Sequence, residues 1–298
     1  MTTTIVLPQT VNLHFTKLCN AKCKFCFAEY SELTGSVRFE QFLRIISMIA
    51  EEPNNGTQRR INFVGGEPTI IKELPLLIEH AKQCGLRTSI VSNGLKMIRA
   101  GIDQYGDLDM IGLSIDSLRP STIREVGRYG FFNGTKLIPN LDDWIRLCQK
   151  IHAAGIDLKI NTVVNRLNHD ESLHELIQKT NPKKWKIFQV THVVGQNTDS
   201  YDDWSVTDCE FDAFVMRHQD LAFDGTDIVV ERAEWMINSY AMIGPNGCFV
   251  DGANGHRYSK PITDVGVSAA WADIRYDSER FELRSRSVTG AQREVVDV

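Results

Sequence analysis

Short apolar–polar alternations take turns with longer stretches of helical spacing from about residue 10 to residue 192. In Val11 to Thr16, Val11, Leu13 and Phe15 fall on one face and Asn12, His14 and Thr16 on the other. Val37 to Glu51 places Phe39, Phe42, Leu43, Ile46 and Ile49 at helical spacing. Strands are predicted over Ile61–Val64, Leu86–Val91, Met110–Ile115, Ile156–Val163 and Trp185–Val190. Helices are predicted over Leu74–Cys84, Leu95–Tyr105, Leu141–Ala154 and Leu173–Lys179, with Gly85 and Gly155 as stops. Gly127 to Gly134 reads as a glycine-rich loop.

Six strands alternating with helices imply a parallel sheet with right-handed crossovers. Strands of a flat sheet covered on both faces are apolar throughout. Here Asn12, His14, Asn62, Ser114, Lys159 and Asn161 all fall on strands. A sheet curled around a wet cavity accounts for them, so the expected fold is α/β, a partial (βα)6 barrel. The expected division is an N-terminal tail over 1–10, the barrel core over 11–204, and a less regular segment over 205–298 capping it. That last segment holds one helical stretch near Glu210–His218 and turn residues Gly244, Pro245 and Gly247.

The chain has 298 residues, 42% hydrophobic and 24% charged, which suits one large core and excludes disordered, collagen-like and disulfide-scaffold classes. A net charge of −5 argues against general nucleic-acid binding. No apolar run approaches the ~20 residues of a membrane helix. Met1 to Thr10 lacks the pattern of a signal peptide. The expectation is therefore a cytoplasmic protein without a membrane anchor, acting as a monomer, its seven cysteines reduced.

Cys19, Cys23 and Cys26 form Cys-x3-Cys-x2-Cys directly after the first strand. Three thiolates so close can share an iron–sulfur cluster and leave one iron open. Spacing alone also permits a zinc site, which would want a fourth ligand, or a redox pair of Cys23 and Cys26. Cys84 and Cys148 sit on predicted helices among apolar neighbours and read as core. Cys209 and Cys248 stand 39 positions apart and form no second cluster motif.

Cys19-Asn20-x-x-Cys23-x-Phe25-Cys26, followed by Gly65-Gly66-Glu67-Pro68 after the second strand, resembles the radical S-adenosylmethionine (SAM) superfamily. The resemblance implies a [4Fe-4S] cluster on Cys19, Cys23 and Cys26. SAM would bind its open iron, with Phe25 and the segment Gly65, Gly66, Glu67, Pro68 at the cofactor. Asn12-Leu13-His14-Phe15-Thr16, Ser92-Asn93-Gly94, Ser114-Ile115-Asp116-Ser117, Lys159-Ile160-Asn161 and Trp185-Lys186-Ile187-Phe188-Gln189 look like the viperin family within it. The sequence departs from the animal pattern at Val64, where serine is usual, and in lacking the amphipathic membrane helix and the C-terminal tryptophan. That suggests a stand-alone, non-animal member.

Lys159 and Asn161 share a strand face, as do Lys184 and Lys186. Each lysine alone reads as a solvated charge, but together with Arg60 and Arg128 they suggest a polyanion pocket. Gly112, Ser114 and Asp116 share another face, leaving room for a ligand. Tyr240 alone reads as an interfacial aromatic. The resemblance assigns Arg60, Arg128, Lys159, Asn161, Lys184 and Lys186 to a nucleoside triphosphate, and Asn12 to its ribose. It assigns Asn93, Ser114 and Arg128 to SAM, and Tyr240 to a tyrosine that closes over the nucleotide. The implied reaction converts CTP or UTP to a 3′-deoxy-3′,4′-didehydro nucleotide, a chain-terminating antiviral product. A 5′-deoxyadenosyl radical would take the ribose 4′-hydrogen, with electrons from an external one-electron donor of flavodoxin, ferredoxin or reductase type. The alternatives are a radical SAM enzyme acting on a peptide or purine nucleotide, and a non-catalytic iron–sulfur or zinc protein. His14 is a candidate acid for departure of the 3′-hydroxyl, or a structural histidine bonded to backbone.

Overall fold

The computed structural model describes residues 7–54, 56–132, 134–222, 225–253 and 255–288. Most of the expected tail over 1–10 and the last ten residues lie outside these. Twelve strands follow in chain order: β1 (Thr10–Thr16), β2 (Arg60–Gly65), β3 (Arg87–Ser92), β4 (Met110–Ser114), β5 (Gly130–Phe132), β6 (Thr135–Leu137), β7 (Asp157–Val164), β8 (Lys184–Gln189), β9 (Asp227–Glu231), β10 (Ala241–Ile243), β11 (Val250–Asp251) and β12 (Arg257–Tyr258). Eight of them form one open sheet in the order β10-β1-β2-β3-β4-β7-β8-β9. Every pairing in it is parallel. Helices α1 (Phe39–Glu51), α2 (Leu74–Gln83), α3 (Leu95–Ala100), α4 (Pro120–Val126), α5 (Leu141–Ala153) and α6 (His174–Thr180) lie in the crossovers. Farther on come α7 (Tyr201–Trp204), α8 (Asp208–His218), α9 (Ala233–Met236), α10 (Ile262–Val265), α11 (Val267–Ala272) and α12 (Ser278–Ser285). Among the described residues no helix is long and apolar enough to cross a membrane.

The period-2 pattern sorts the two faces. Val11, Leu13, Ile61, Phe63, Ile90, Ile111, Leu113, Leu158, Ile160 and Ile187 are fully buried in the main core. The helices cover that face, as α1 does with Phe42, Ile45, Ile46 and Ile49. The intervening polar residues face a cavity on the concave side. All six strand residues that suggested curling line it: Asn12, His14, Asn62, Ser114, Lys159 and Asn161.

The structure corrects four local expectations. The sheet has eight strands rather than six, because the segment after residue 204 adds β9 at one edge and β10 at the other. These strands are five and three residues long and carry little periodic signal. The stretch Leu95–Tyr105 breaks at Gly101, at φ 82°, into α3 and a 3-10 turn. Helix α4 was not expected, although Pro120 at its start and Gly127 just past its end, at φ 80°, mark it. The glycine-rich loop is a hairpin, β5 with β6.

Gly127 also sets the cysteine loop. The Lys22 N–H donates to its carbonyl at 3.2 Å, and the Lys24 N–H donates to the Val126 carbonyl at 3.0 Å. A Cβ at Gly127 would stand 2.0 Å from the Lys22 carbonyl oxygen. Gly127→Ala is expected to cost more than the ~1–2 kcal/mol of a left-handed residue, because backbone must also move. A lower melting temperature together with less iron bound per chain checks this.

Candidate active site

The concave face encloses a cavity of about 500 Å³. Cys19, Cys23, Phe25, Cys26, Gly65, Gly66, Glu67, Asn93, Ser114 and Arg128 line it, and so do Asn12, Arg60, Lys159, Asn161, Lys186 and Tyr240. Of the residues singled out in the sequence, Pro68 and Lys184 are not in its wall. Pro68 is buried at the start of a 3-10 turn behind Glu67. Lys184 lies at the start of β8, opposite Asp227 in register, and pairs with it at 3.4 Å.

Three thiols stand at one end. Burial pushes all three up, that of Cys23 to about 12. All seven cysteines are free. Among the described residues no group of three His, Cys, Asp or Glu side chains is set around a single ion. Three soft thiol donors without a fourth suit a [4Fe-4S] cluster, where each thiolate takes a separate iron and one iron stays open. Two close approaches shape this end. A Cβ on Gly65 would meet the Thr16 carbonyl oxygen at 2.2 Å, and one on Gly66 that of Leu18 at 2.2 Å. The segment 65–67 thus runs against the backbone leading to Cys19, tied by Gly66 N–H to Thr16 O and Glu67 N–H to Leu18 O, each 2.7 Å.

Glu67 is buried, and burial raises its pKa against the donors that hold it. Those donors are the Thr69 hydroxyl, the Thr69 N–H at 3.1 Å, the Ser92 hydroxyl at 2.7 Å and the Asn93 N–H at 2.7 Å. A buried carboxyl so held, facing a cavity, suits an ammonium group. Asn93 donates from its amide to Asn20 at 2.8 Å. Arg128 forms a two-pronged pair with Asp116, Nε at 2.7 Å and Nη2 at 2.6 Å. Burial opposes its charge, but Asp116 and the thiols outweigh it, and its pKa lies above the ordinary value. It leans over the Phe25 ring at 5.6 Å. Arg128 therefore belongs to the thiol end rather than to the lysines.

The opposite wall is cationic. Arg60, Lys159, Lys186 and Arg284 line it, and the Glu231 carboxylate lies buried behind them, outside the cavity wall. Lys186 Nζ sits 2.6 Å from Glu231 Oε1, whose side chain is 0% exposed. Tyr240 donates its hydroxyl to the other oxygen. The buried Arg284 guanidinium stacks 3.5 Å from the Tyr240 ring centre and donates to Ser239 Oγ at 2.8 Å and Ser239 O at 2.6 Å. Its Nη1 has no hydrogen-bond partner and lies 3.6 Å from Glu231. Burial lowers the Lys186 pKa to about 8, against the pull of Glu231. Burial, then Lys186, Arg60 and Lys184, drives Lys159 well below the usual lysine range.

Between the ends runs a polar ladder in register across β1, β2 and β3: Asn62 donates to Asn12 at 2.7 Å and accepts from Ser89 at 2.9 Å. The space expected beside Gly112 holds the stem of Lys159, whose Cε would be 2.9 Å from an added Cβ. Glu231, Arg284 and His256 were missed. Glu231 ends a short apolar run, Val229-Val230-Glu231, a signal of an inward charge. Nothing in the local sequence marks Arg284 or His256.

The sequence matches the Radical SAM superfamily over residues 13–180. It is 38% identical over 280 residues to an S-adenosylmethionine-dependent nucleotide dehydratase of Lacinutrix mariniflava, covering 91% of this chain and 56% of that protein. The chain thus spans little more than half of that relative. It is 36% identical to a protein of the same name from Flammeovirga pacifica, covering 91% of this chain and 92% of the relative. Streptococcus suis SuiB bound to S-adenosylmethionine has the same fold, with TM-score 0.68 at 15% identity over 94% of this chain and 68% of that one. Three thiols beside a Gly-Gly-Glu-Pro turn, at one end of a curled parallel sheet, thus meet the family match: the chain belongs to the radical SAM superfamily, among the S-adenosylmethionine-dependent nucleotide dehydratases.

Proposed function

We propose that the protein removes water from the ribose of a nucleoside triphosphate, CTP or UTP, giving the 3′-deoxy-3′,4′-didehydro nucleotide. The observation that carries this reading is a single cavity with three thiols at one end and four inward cations at the other. When bound, the cluster and SAM supply the 5′-deoxyadenosyl radical that abstracts hydrogen. Cys19, Cys23 and Cys26 hold the cluster, while Glu67, Asn93, Ser114 and Arg128 orient SAM beside Phe25. Arg60, Lys159, Lys186 and Arg284 grip the triphosphate, with Asn161 as a neutral donor and Asn12 at the ribose. Fixing both ends of the nucleotide fixes which ribose hydrogen faces the thiol end. Tyr240, tied to Glu231 and Arg284, closes the cationic wall and excludes water. The net change is loss of the C4′ hydrogen atom, carried away in 5′-deoxyadenosine, and of the C3′ hydroxyl, which leaves as water on uptake of one proton and one further electron. A product without a 3′-hydroxyl cannot extend a nucleic-acid chain. One external donor supplies the electrons.

His14 does not suit the role of acid. Burial and the neighbouring His256 lower its pKa to about 3, so it is neutral near pH 7. Its Nδ1 has no backbone partner either.

Offering the reconstituted enzyme all four ribonucleotides together tests the reading by product mass. A pyrimidine triphosphate lighter by one water is expected, and recovery of all four unchanged would refute it. A peptide substrate would have no use for four inward cations.

The lysines make a further prediction. A bound polyanion raises the pKa values of Lys186 and Lys159, so nucleotide binding takes up protons. Affinity is expected to fall as pH rises through the free Lys186 value of about 8. Calorimetry in buffers of different ionisation enthalpy reads the uptake directly.

A further inference from the structure

One part of the cavity wall is used by neither end. His14 Nδ1 and Tyr30 Oη are buried and have no hydrogen-bond partner, while His256 Nδ1 has only the Glu32 carboxylate at 3.5 Å beside it among the described residues. Their rings form one cluster: Tyr30 stands edge-on to His14 at 5.4 Å and tilts over His256 at 4.8 Å. His14 and His256 line the cavity, while Tyr30 is fully buried between them. Tyr30 is held in place from behind. Its backbone adopts φ 51°, and its N–H donates to Gln196 Oε1 at 2.8 Å. Gln196 and Tyr258 both hold Glu32, whose Oε1 lies 3.5 Å from His256 Nδ1. Val250 packs with Tyr30 in one small apolar cluster that Met242 adjoins, and both Val250 and Met242 also face the cavity.

Buried polar groups in native proteins almost always have partners, and the unpaired Nδ1 of His14 in the wall of a ligand cavity, beside a second imidazole, calls for one. Neutral imidazoles each donate or accept, depending on tautomer. They give little to a phosphate, which needs cations, or to a sulfonium amino acid, which needs carboxylate and ammonium partners. They do suit an uncharged ring edge carrying both N–H and C=O groups, against the apolar flank of Val250 and Met242. Asn12 and His14 are two residues apart on one face of β1, about 7 Å along the strand, a span that leads from a ribose to the far edge of its base.

We propose that His14 and His256, positioned by Tyr30, form the subsite that reads the nucleobase of the substrate. The proposal rests on the nucleotide reading above. Tyr30 acts through the two histidines and is a positioning residue.

The test measures equilibrium binding of each of the four ribonucleoside triphosphates, and of inorganic tripolyphosphate, to the reconstituted holoenzyme with SAM. The wild type is expected to rank the nucleotides. His256→Phe and His14→Phe are expected to weaken the preferred nucleotide about tenfold and flatten the ranking. Tripolyphosphate binding should stay within twofold. Tyr30→Leu should flatten the ranking too, and Tyr30→Phe, which keeps the ring, should restore it. His14→Asn and His256→Asn replace any phenylalanine variant whose melting temperature collapses. An unchanged ranking in the histidine variants, or an equal loss of tripolyphosphate binding, overturns the subsite. A wild type that binds tripolyphosphate but does not rank the nucleotides also overturns it. A wild type that binds neither overturns the nucleotide reading itself.

Discussion

Lys186→Ala is expected to weaken nucleoside triphosphate binding by a factor of about 30 to several thousand, leaving SAM binding within twofold. Lys186 Nζ lies 2.6 Å from Glu231 Oε1, and the Glu231 side chain is fully buried. Removing the ammonium takes away one attraction for the triphosphate. It also leaves the buried Glu231 carboxylate, which lies just behind the wall, with Tyr240 and Arg284 as its remaining partners among the described residues. Truncating one member of a buried charge pair costs about 2–5 kcal/mol, and each 1.4 kcal/mol or so is a decade in affinity. Adding Glu231→Gln to Lys186→Ala should recover part of the loss, because the second change removes the unmasked charge. Calorimetric titration of the two variants checks both statements. Equal affinity in Lys186→Ala and wild type would remove the triphosphate from this wall.

The second large effect concerns the thiols. Cys23→Ala is expected to abolish the brown iron–sulfur absorbance and reduce turnover to background. Cys23 adjoins the 126–130 backbone and lines the cavity with Cys19 and Cys26. A cluster on two thiolates loses one of the three anchors that leave a single iron open. Cys209→Ala is the control, since Cys209 is exposed and outside the cavity wall. It should keep both colour and turnover. Visible absorbance and iron content per chain measure the first point, and product formation the second.

Much of this site was legible because a parallel strand has period 2. Asn12 and His14 on β1, Ser114 on β4, and Lys159 and Asn161 on β7 alternate with apolar residues and so share the face opposite the core, and that face is the concave one. The thiol end was legible because its three cysteines lie within eight residues of each other. Period alone misplaced Lys184. It shares a face with Lys186 but lies about 7 Å lower on the strand, where Asp227 from β9 meets it. That partner could not be seen before β9 was known to join the sheet. Arg284 and His256 were invisible for the same reason: α12 and the turn before β12 reach the cavity only through tertiary packing. Gly112 shows the opposite error. Its missing side chain suggests room for a ligand, whereas the space admits the Lys159 stem.

If one cavity couples SAM cleavage to a triphosphate-bearing ribose, the two events rise and fall together. The most direct test is anaerobic release of 5′-deoxyadenosine from the reduced holoenzyme, with and without each ribonucleoside triphosphate. Release is expected to rise only when a triphosphate is present, in step with a nucleotide product lighter by one water. Release at the same rate without nucleotide, or with the nucleotide recovered intact, would contradict it.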